Sequence, residues 1–111
     1  MNLKYALILG SVLSMGAPFP VLAEDGTTYT IEMKEGSFSP PVLEVPAHEK
    51  IHLVVKNSET VQTEFESYRL NREVKIKSGE STDVYIGPLE PGEYPIFDDN
   101  NPDAKGSIVA Q

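Results

Sequence analysis

Ile51-His52-Leu53-Val54-Val55-Lys56, closed by Asn57-Ser58-Glu59-Thr60, is the clearest strand in the chain. Ile51, Leu53 and Val55 alternate with His52, Val54 and Lys56, and a period of two places successive side chains on opposite faces of a strand. The same grammar runs outward in both directions. Residues 28–33 (TYTIEM) suit an opening strand, broken by Gly36 and Ser39-Pro40-Pro41, and residues 42–45 (VLEV) form a second short strand ended by Pro46. Downstream, Val74 and Ile76 alternate with Glu73, Lys75 and Lys77 before the turn at Ser78-Gly79-Glu80. Thr82, Val84 and Ile86 run back toward Pro88, Pro91-Gly92 leads into residues 93–97, and residues 106–110 read as the last strand. Short strands cut by proline and glycine predict an antiparallel sandwich or small barrel. Residues 63–71 are the one helical candidate, but Phe65, Tyr68 and Leu70 make no clean stripe.

Ahead of this pattern, Lys4 is followed by the apolar run 6–13 and by Val21-Leu22-Ala23 before Glu24-Asp25, the layout of a secretory signal peptide. Ser11, Ser14, Pro18 and Pro20 interrupt the apolar stretch, which falls short of the roughly 20 residues a spanning helix needs. Residues 1–23 are therefore expected to be removed, leaving 24–111 as a single domain in the periplasm, with no stable membrane insertion of the mature chain.

The chain has no cysteine, so neither disulfides nor a thiolate-ligated blue-copper centre can form. Its formal charge is -8, and loss of Lys4 with the leader makes the mature chain one unit more negative. That surface argues against nucleic acid and anionic lipid and favours cations or basic partner surfaces. No glycine-rich phosphate loop, serine-nucleophile motif or zinc-protease histidine pair is present.

Chemistry concentrates in two short segments: Thr63-Glu64-Phe65-Glu66-Ser67, and Tyr94-Pro95-Ile96-Phe97-Asp98-Asp99 after the Pro91-Gly92 turn. Four carboxylates brought together by a β fold would suit a hard metal ion. If residues 63–67 are extended, Glu64 and Glu66 share one face and Phe65 anchors the other in the core. Against this stands a solvated strand face for the glutamates, and a loop in which a carboxylate at 98 or 99 caps backbone amides. Of the adjacent aspartates only one can face Glu66, and Asp98 is assigned that role, with Asp99 as a further ligand or an outer group. Met33, the lone methionine after the leader, is either a soft ligand or a core filler. His48 and His52 read as surface histidines. Tyr68 and Arg69, beside the acidic segment, are read as packing and rim groups able to bond a carboxylate.

Phe38-Ser39-Pro40 before Leu43-Glu44-Val45-Pro46-Ala47, Glu64-Phe65-Glu66-Ser67, Ser78-Gly79, Pro88-Leu89-Glu90-Pro91-Gly92-Glu93-Tyr94-Pro95 with Phe97-Asp98, and Lys105-Gly106-Ser107-Ile108-Val109-Ala110 together carry a resemblance. With these motifs the mature chain resembles the small exported cupredoxin-like proteins of bacterial iron uptake, including the cupredoxin domain of the periplasmic component of ferrous-iron permease systems. The resemblance implies an all-β, cupredoxin-like Greek-key β-sandwich and binding of iron or copper in support of an iron permease, with oxidation of ferrous iron before transfer as a further activity. It places the metal region at Glu64 and Glu66 on one side and Asp98 and Asp99 on the other. Where relatives carry a histidine after the acidic pair, this chain has Asn100-Asn101, and cysteines that some relatives hold near positions 38 and 98 are absent. Both departures remove soft ligands and leave carboxylates.

Two functions follow as expectations. In the first, the protein binds metal and passes iron to a permease or an associated periplasmic protein. Oxygen ligands favour Fe(III), yet repeated oxidation would need an electron acceptor, so binding and transfer rank above an oxidase. In the second, the sandwich is a non-catalytic adaptor whose acidic loops steer a basic protein partner.

Overall fold

The computed structural model describes residues 27–111, and the expected signal peptide lies outside the described residues. Among the described residues nine strands build two packed sheets: β1 Thr28–Lys34, β2 Ser37–Ser39, β3 Val42–Val45, β4 Ile51–Asn57, β5 Thr63–Ser67, β6 Arg72–Ile76, β7 Ser81–Ile86, β8 Gly92–Asp98 and β9 Asn101–Ala110. One sheet has the order β2-β1-β4-β7 and the other β3-β9-β8-β5-β6. The all-β sandwich is thus as expected, but it is not purely antiparallel. β1 pairs parallel to β4, and β9 parallel to β3. The cause lies in the path of the chain: after β2 it crosses through Pro40-Pro41 to the edge of the second sheet as β3, then returns to start β4 beside the start of β1.

The period-two pattern is fulfilled where one face is buried. Ile51, Leu53 and Val55 are fully buried and pack with Ile31, Phe65, Ile96 and Ile108 between the sheets. Residues 63–67, the helical candidate, form β5, because Phe65 inserts into that core and meets the Phe38 ring edge-on at 6.3 Å between centroids. A four-residue turn, Tyr68-Arg69-Leu70-Asn71, then folds the chain back as β6. The Asn71 amide donates to the Tyr68 carbonyl and the Leu70 amide to Ser67 Oγ, and Asn71 takes the left-handed conformation that asparagine tolerates (φ 55°).

The last strand starts at Asn101, five residues before the expected 106. Its register against β8 shifts between Asn101 and Lys105, and Pro102 in that irregular segment obscures the strand pattern. Gly106 is needed on β9: a Cβ there would lie 2.7 Å from the Pro41 carbonyl oxygen, which accepts a bond from the neighbouring Ser107 amide.

Candidate metal centre

The β5–β6 hairpin sets the site by counting outward from its turn. Ser67 pairs with Arg72, Glu66 with Glu73, Phe65 with Val74 and Glu64 with Lys75. Residues directly opposite in a ladder point to the same side, so Glu64, Glu66, Glu73 and Lys75 share the outer face of the five-stranded sheet. The turn from β8 to β9 adds Asp99, whose amide donates to the Glu64 carbonyl at 2.9 Å. Glu64, Glu66, Glu73 and Asp99 each offer a ligand atom, and these atoms lie within 4.8 Å of one another. Lys75 joins Glu64, Glu73 and Asp99 in lining an open depression at this place.

The electrostatics of the group are those of crowded anions. A hydrogen bond with the Glu73 carboxyl, then burial, then the charges of Glu73 and Asp99 raise the proton affinity of Glu64, with Lys75 opposing. Glu66 is raised by burial first and by Glu73 and Asp99 after it. Glu64 is buried in spite of its charge, at 7% exposure. Like charges directly opposite on a sheet are destabilising, and a cation among them relieves both repulsion and desolvation.

The expected residues separate into two sets. Glu64, Glu66 and Asp99 are together, whereas Asp98 does not face Glu66. Asp98 pairs with Phe65 in the ladder, is buried, and its Oδ1 accepts from the Glu64 and Asn100 amides, each at 2.9 Å. The side-chain parity of β8 thus turns Asp98 inward, where it ties the start of β5 to the turn that carries Asp99. Met33 also stands apart, buried on β1 in the core beside its ladder partner Phe38. Glu73 is the member that sequence reading missed. Its signal is available in the hairpin: two strands joined by a four-residue turn bring Glu66 and Glu73 opposite each other once residues 63–67 are taken as extended.

The flanking groups serve other ends. Arg69 donates from Nη1 to the Glu93 carbonyl at 2.7 Å and covers the Tyr94 ring at 4.5 Å, so it does not pair with the carboxylates. Tyr68 leans on Phe97 with ring centroids 5.3 Å apart. His52 lies on the outer face of the other sheet, between Thr28 Oγ1 at 3.0 Å and Asp83 Oδ1 at 2.7 Å, and stacks on Tyr85. His48 sits in a turn with φ 66°. A blue-copper centre does not fit these residues, because no thiolate is available and the His52 ring is taken up by Thr28 and Asp83. Four carboxylates fit a hard cation instead.

A family model described as a cupredoxin-like domain matches residues 5–110. An uncharacterized protein of Rickettsia prowazekii (strain Madrid E) is 40% identical over 80 residues, and the match spans 71% of this chain and 64% of that relative. Among solved structures, auracyanin A, a blue copper protein of Chloroflexus aurantiacus, superposes with a TM-score of 0.64 at 16% identity, covering 77% of this chain and 98% of that one. The metal-binding domain of a Cu(I)-exporting P-type ATPase of Streptococcus pneumoniae, solved with Cu(I), gives a TM-score of 0.73 at 13% identity, covering 82% of this chain and 91% of that domain. At such identities the likeness is one of fold.

Proposed function

The chain belongs to the cupredoxin-like domain family, and from that premise we propose that it is a periplasmic metal-binding protein that holds iron as cargo on the outer face of its five-stranded sheet and releases it to a membrane permease or an associated protein. The observation that carries this reading is the like-charge pair Glu66–Glu73, directly opposed across the hairpin and crowded by Glu64 and Asp99 within 4.8 Å. A fold gains nothing from that arrangement in the absence of a cation. All four groups offer oxygen donors, a set that selects hard ions, ferric iron and manganese above cuprous copper. The position also suits transfer, since Glu73 and Asp99 are exposed and a partner's ligands can reach the ion from outside.

Export, the permease and any role in oxidising ferrous iron rest on the leader and on the family resemblance. Within this reading, Asp98 positions the Glu64 amide and the Asp99 turn, and copper has no soft ligand set on this face.

Equilibrium titration with ferric, manganese and cupric ions in a non-chelating buffer tests it. Glu66→Gln and Glu73→Gln each keep side-chain volume while removing one anionic donor, and each is expected to weaken ferric binding by about tenfold or more, while His52→Ala leaves it unchanged. Equal ferric affinity in wild type and both glutamine variants would overturn the carboxylate site, and tight association with a periplasmic protein unaffected by metal removal would favour the adaptor.

A further inference from the structure

Beside the carboxylates, the same sheet face changes character. Ladder partners run Glu73, Glu66, Phe97, Lys105 across β6, β5, β8 and β9 in a single row, so the face passes from two anions through an aromatic ring to a cation. On the cationic side lies a groove of about 400 Å³, lined by Tyr68, Pro95, Phe97 and Pro102 together with Arg69 and Lys105. Tyr68 is 77% exposed although its ring rests on Phe97, so a large apolar surface is offered to solvent. No carboxylate lines the groove, in a protein whose formal charge is -8. Among the described residues the one contact between a basic side chain and a carboxylate within 4 Å is His52–Asp83, and neither Lys105 nor Arg69 has an acidic partner there. Arg69 is held in place by the Glu93 carbonyl and the Tyr94 ring, and among the described residues its other donors have no hydrogen-bond partner.

We propose that this groove is a binding site for a small aromatic anion, a flat apolar body carrying a carboxylate or similar group. The volume falls in the range of small-molecule sites, and the apolar walls supply the contact area. The two cations choose the sign of the ligand, and the neighbouring Glu66 orients it, with the anionic group directed toward Lys105 and Arg69 and the ring over Phe97. Charge argues against a basic protein segment, which would meet Arg69 and Lys105. The groove shares no lining residue with the four carboxylates, so the metal-free protein tests it apart from the metal reading.

Amide NMR titration of the full domain with naphthoate, naphthamide and naphthylmethylammonium tests the proposal through one ring in three charge states. Shift changes are expected at residues 68, 97 and 105, with naphthoate binding about two- to fivefold more tightly than the amide and the ammonium weakest, the scale of an exposed ion pair. Lys105→Glu should reverse the order of the charged pair. Tyr68→Ala removes an exposed ring that the fold does not need, and should weaken all three by about two- to tenfold. Shifts centred elsewhere, equal or better binding of the ammonium by wild type, or no response to naphthoate at about 10 mM, weaker than the millimolar range of simple ligands, would overturn the site. Shifts at the groove that depend on protein concentration alone would assign it to a second copy and overturn the small-anion proposal as well.

Discussion

The two outer faces of the sandwich carry similar kinds of residue and treat them in opposite ways. On the four-stranded sheet His52 is bracketed by Thr28 and Asp83 and stacked on Tyr85, so each polar group meets a complementary one. On the five-stranded sheet Glu66 meets Glu73, with Glu64 and Asp99 close by, and Lys75 alone offsets only part of that charge. A polar strand face is ordinarily just a solvated face. What distinguishes a candidate site is a set of charges that the fold brings together and does not neutralise.

Asp98 holds the second face in shape, and its removal gives the largest expected effect. Asp98→Ala leaves the buried Glu64 amide without its acceptor and removes the acceptor of the partly buried Asn100 amide, and is expected to destabilise the domain by about 1–3 kcal/mol in denaturant unfolding. Asp98→Asn keeps an acceptor oxygen at the same position, so it should recover most of that loss and retain ferric binding within a few-fold. Loss of metal binding in a stable Asp98→Asn protein would instead make Asp98 a ligand and return the site to the pair that the sequence suggested.

That contrast bears on what the sequence makes legible. Residues 51–56 read correctly because one face of β4 is buried and the alternation records it. The roles of Asp98 and Asp99 turn on a single step of register: the pairing of Asp98 with Phe65 faces it inward and leaves Asp99 at the surface, and a slip of one residue would exchange them. Glu73 was hidden for a related reason. Its strand is visible in the alternation of Val74 and Ile76, but its meeting with Glu66 depends on the length of the intervening turn, and residues 68–71 also suited a helical reading. The parallel pairings were not legible either, since they follow from where β3 crosses between sheets and not from any local pattern.

Proton linkage separates the two faces as well. Glu64 and Glu66 have raised proton affinities in the folded protein, so their contribution to stability is complete below the ordinary carboxylate range and is lost as pH rises through their raised values. Glu32, on the other sheet, is shifted the opposite way, by the Ser58 hydroxyl foremost and then by Lys56 and Lys34 against burial; its contribution is lost only as pH falls below the ordinary range. The two windows therefore lie on opposite sides of that range. Metal-free protein should lose stability as pH rises above the ordinary carboxylate value, Glu73→Gln should flatten the decline, and a saturating hard cation should abolish it. Thermal unfolding across pH, with and without the ion, measures all three. A decline as steep in Glu73→Gln as in wild type would detach it from the crowded face.

The smallest effect is expected on the satisfied face, and it is the control that gives the comparison its meaning. Asp83→Asn retains an oxygen able to meet His52 Nε2 while removing the charge of a residue that is 62% exposed, opposite a histidine at 29%. Water screens a pair so placed, and the measured worth of such pairs is about 0–1 kcal/mol. The Thr28 contact and the Tyr85 stack remain, so Asp83→Asn should lower stability by no more than about 0.5 kcal/mol and leave ferric affinity untouched. A large loss of metal binding in this variant would mean that the two faces communicate through the core, or that cations bind at the imidazole side. In either case, local charge crowding on the five-stranded sheet would no longer account for the site.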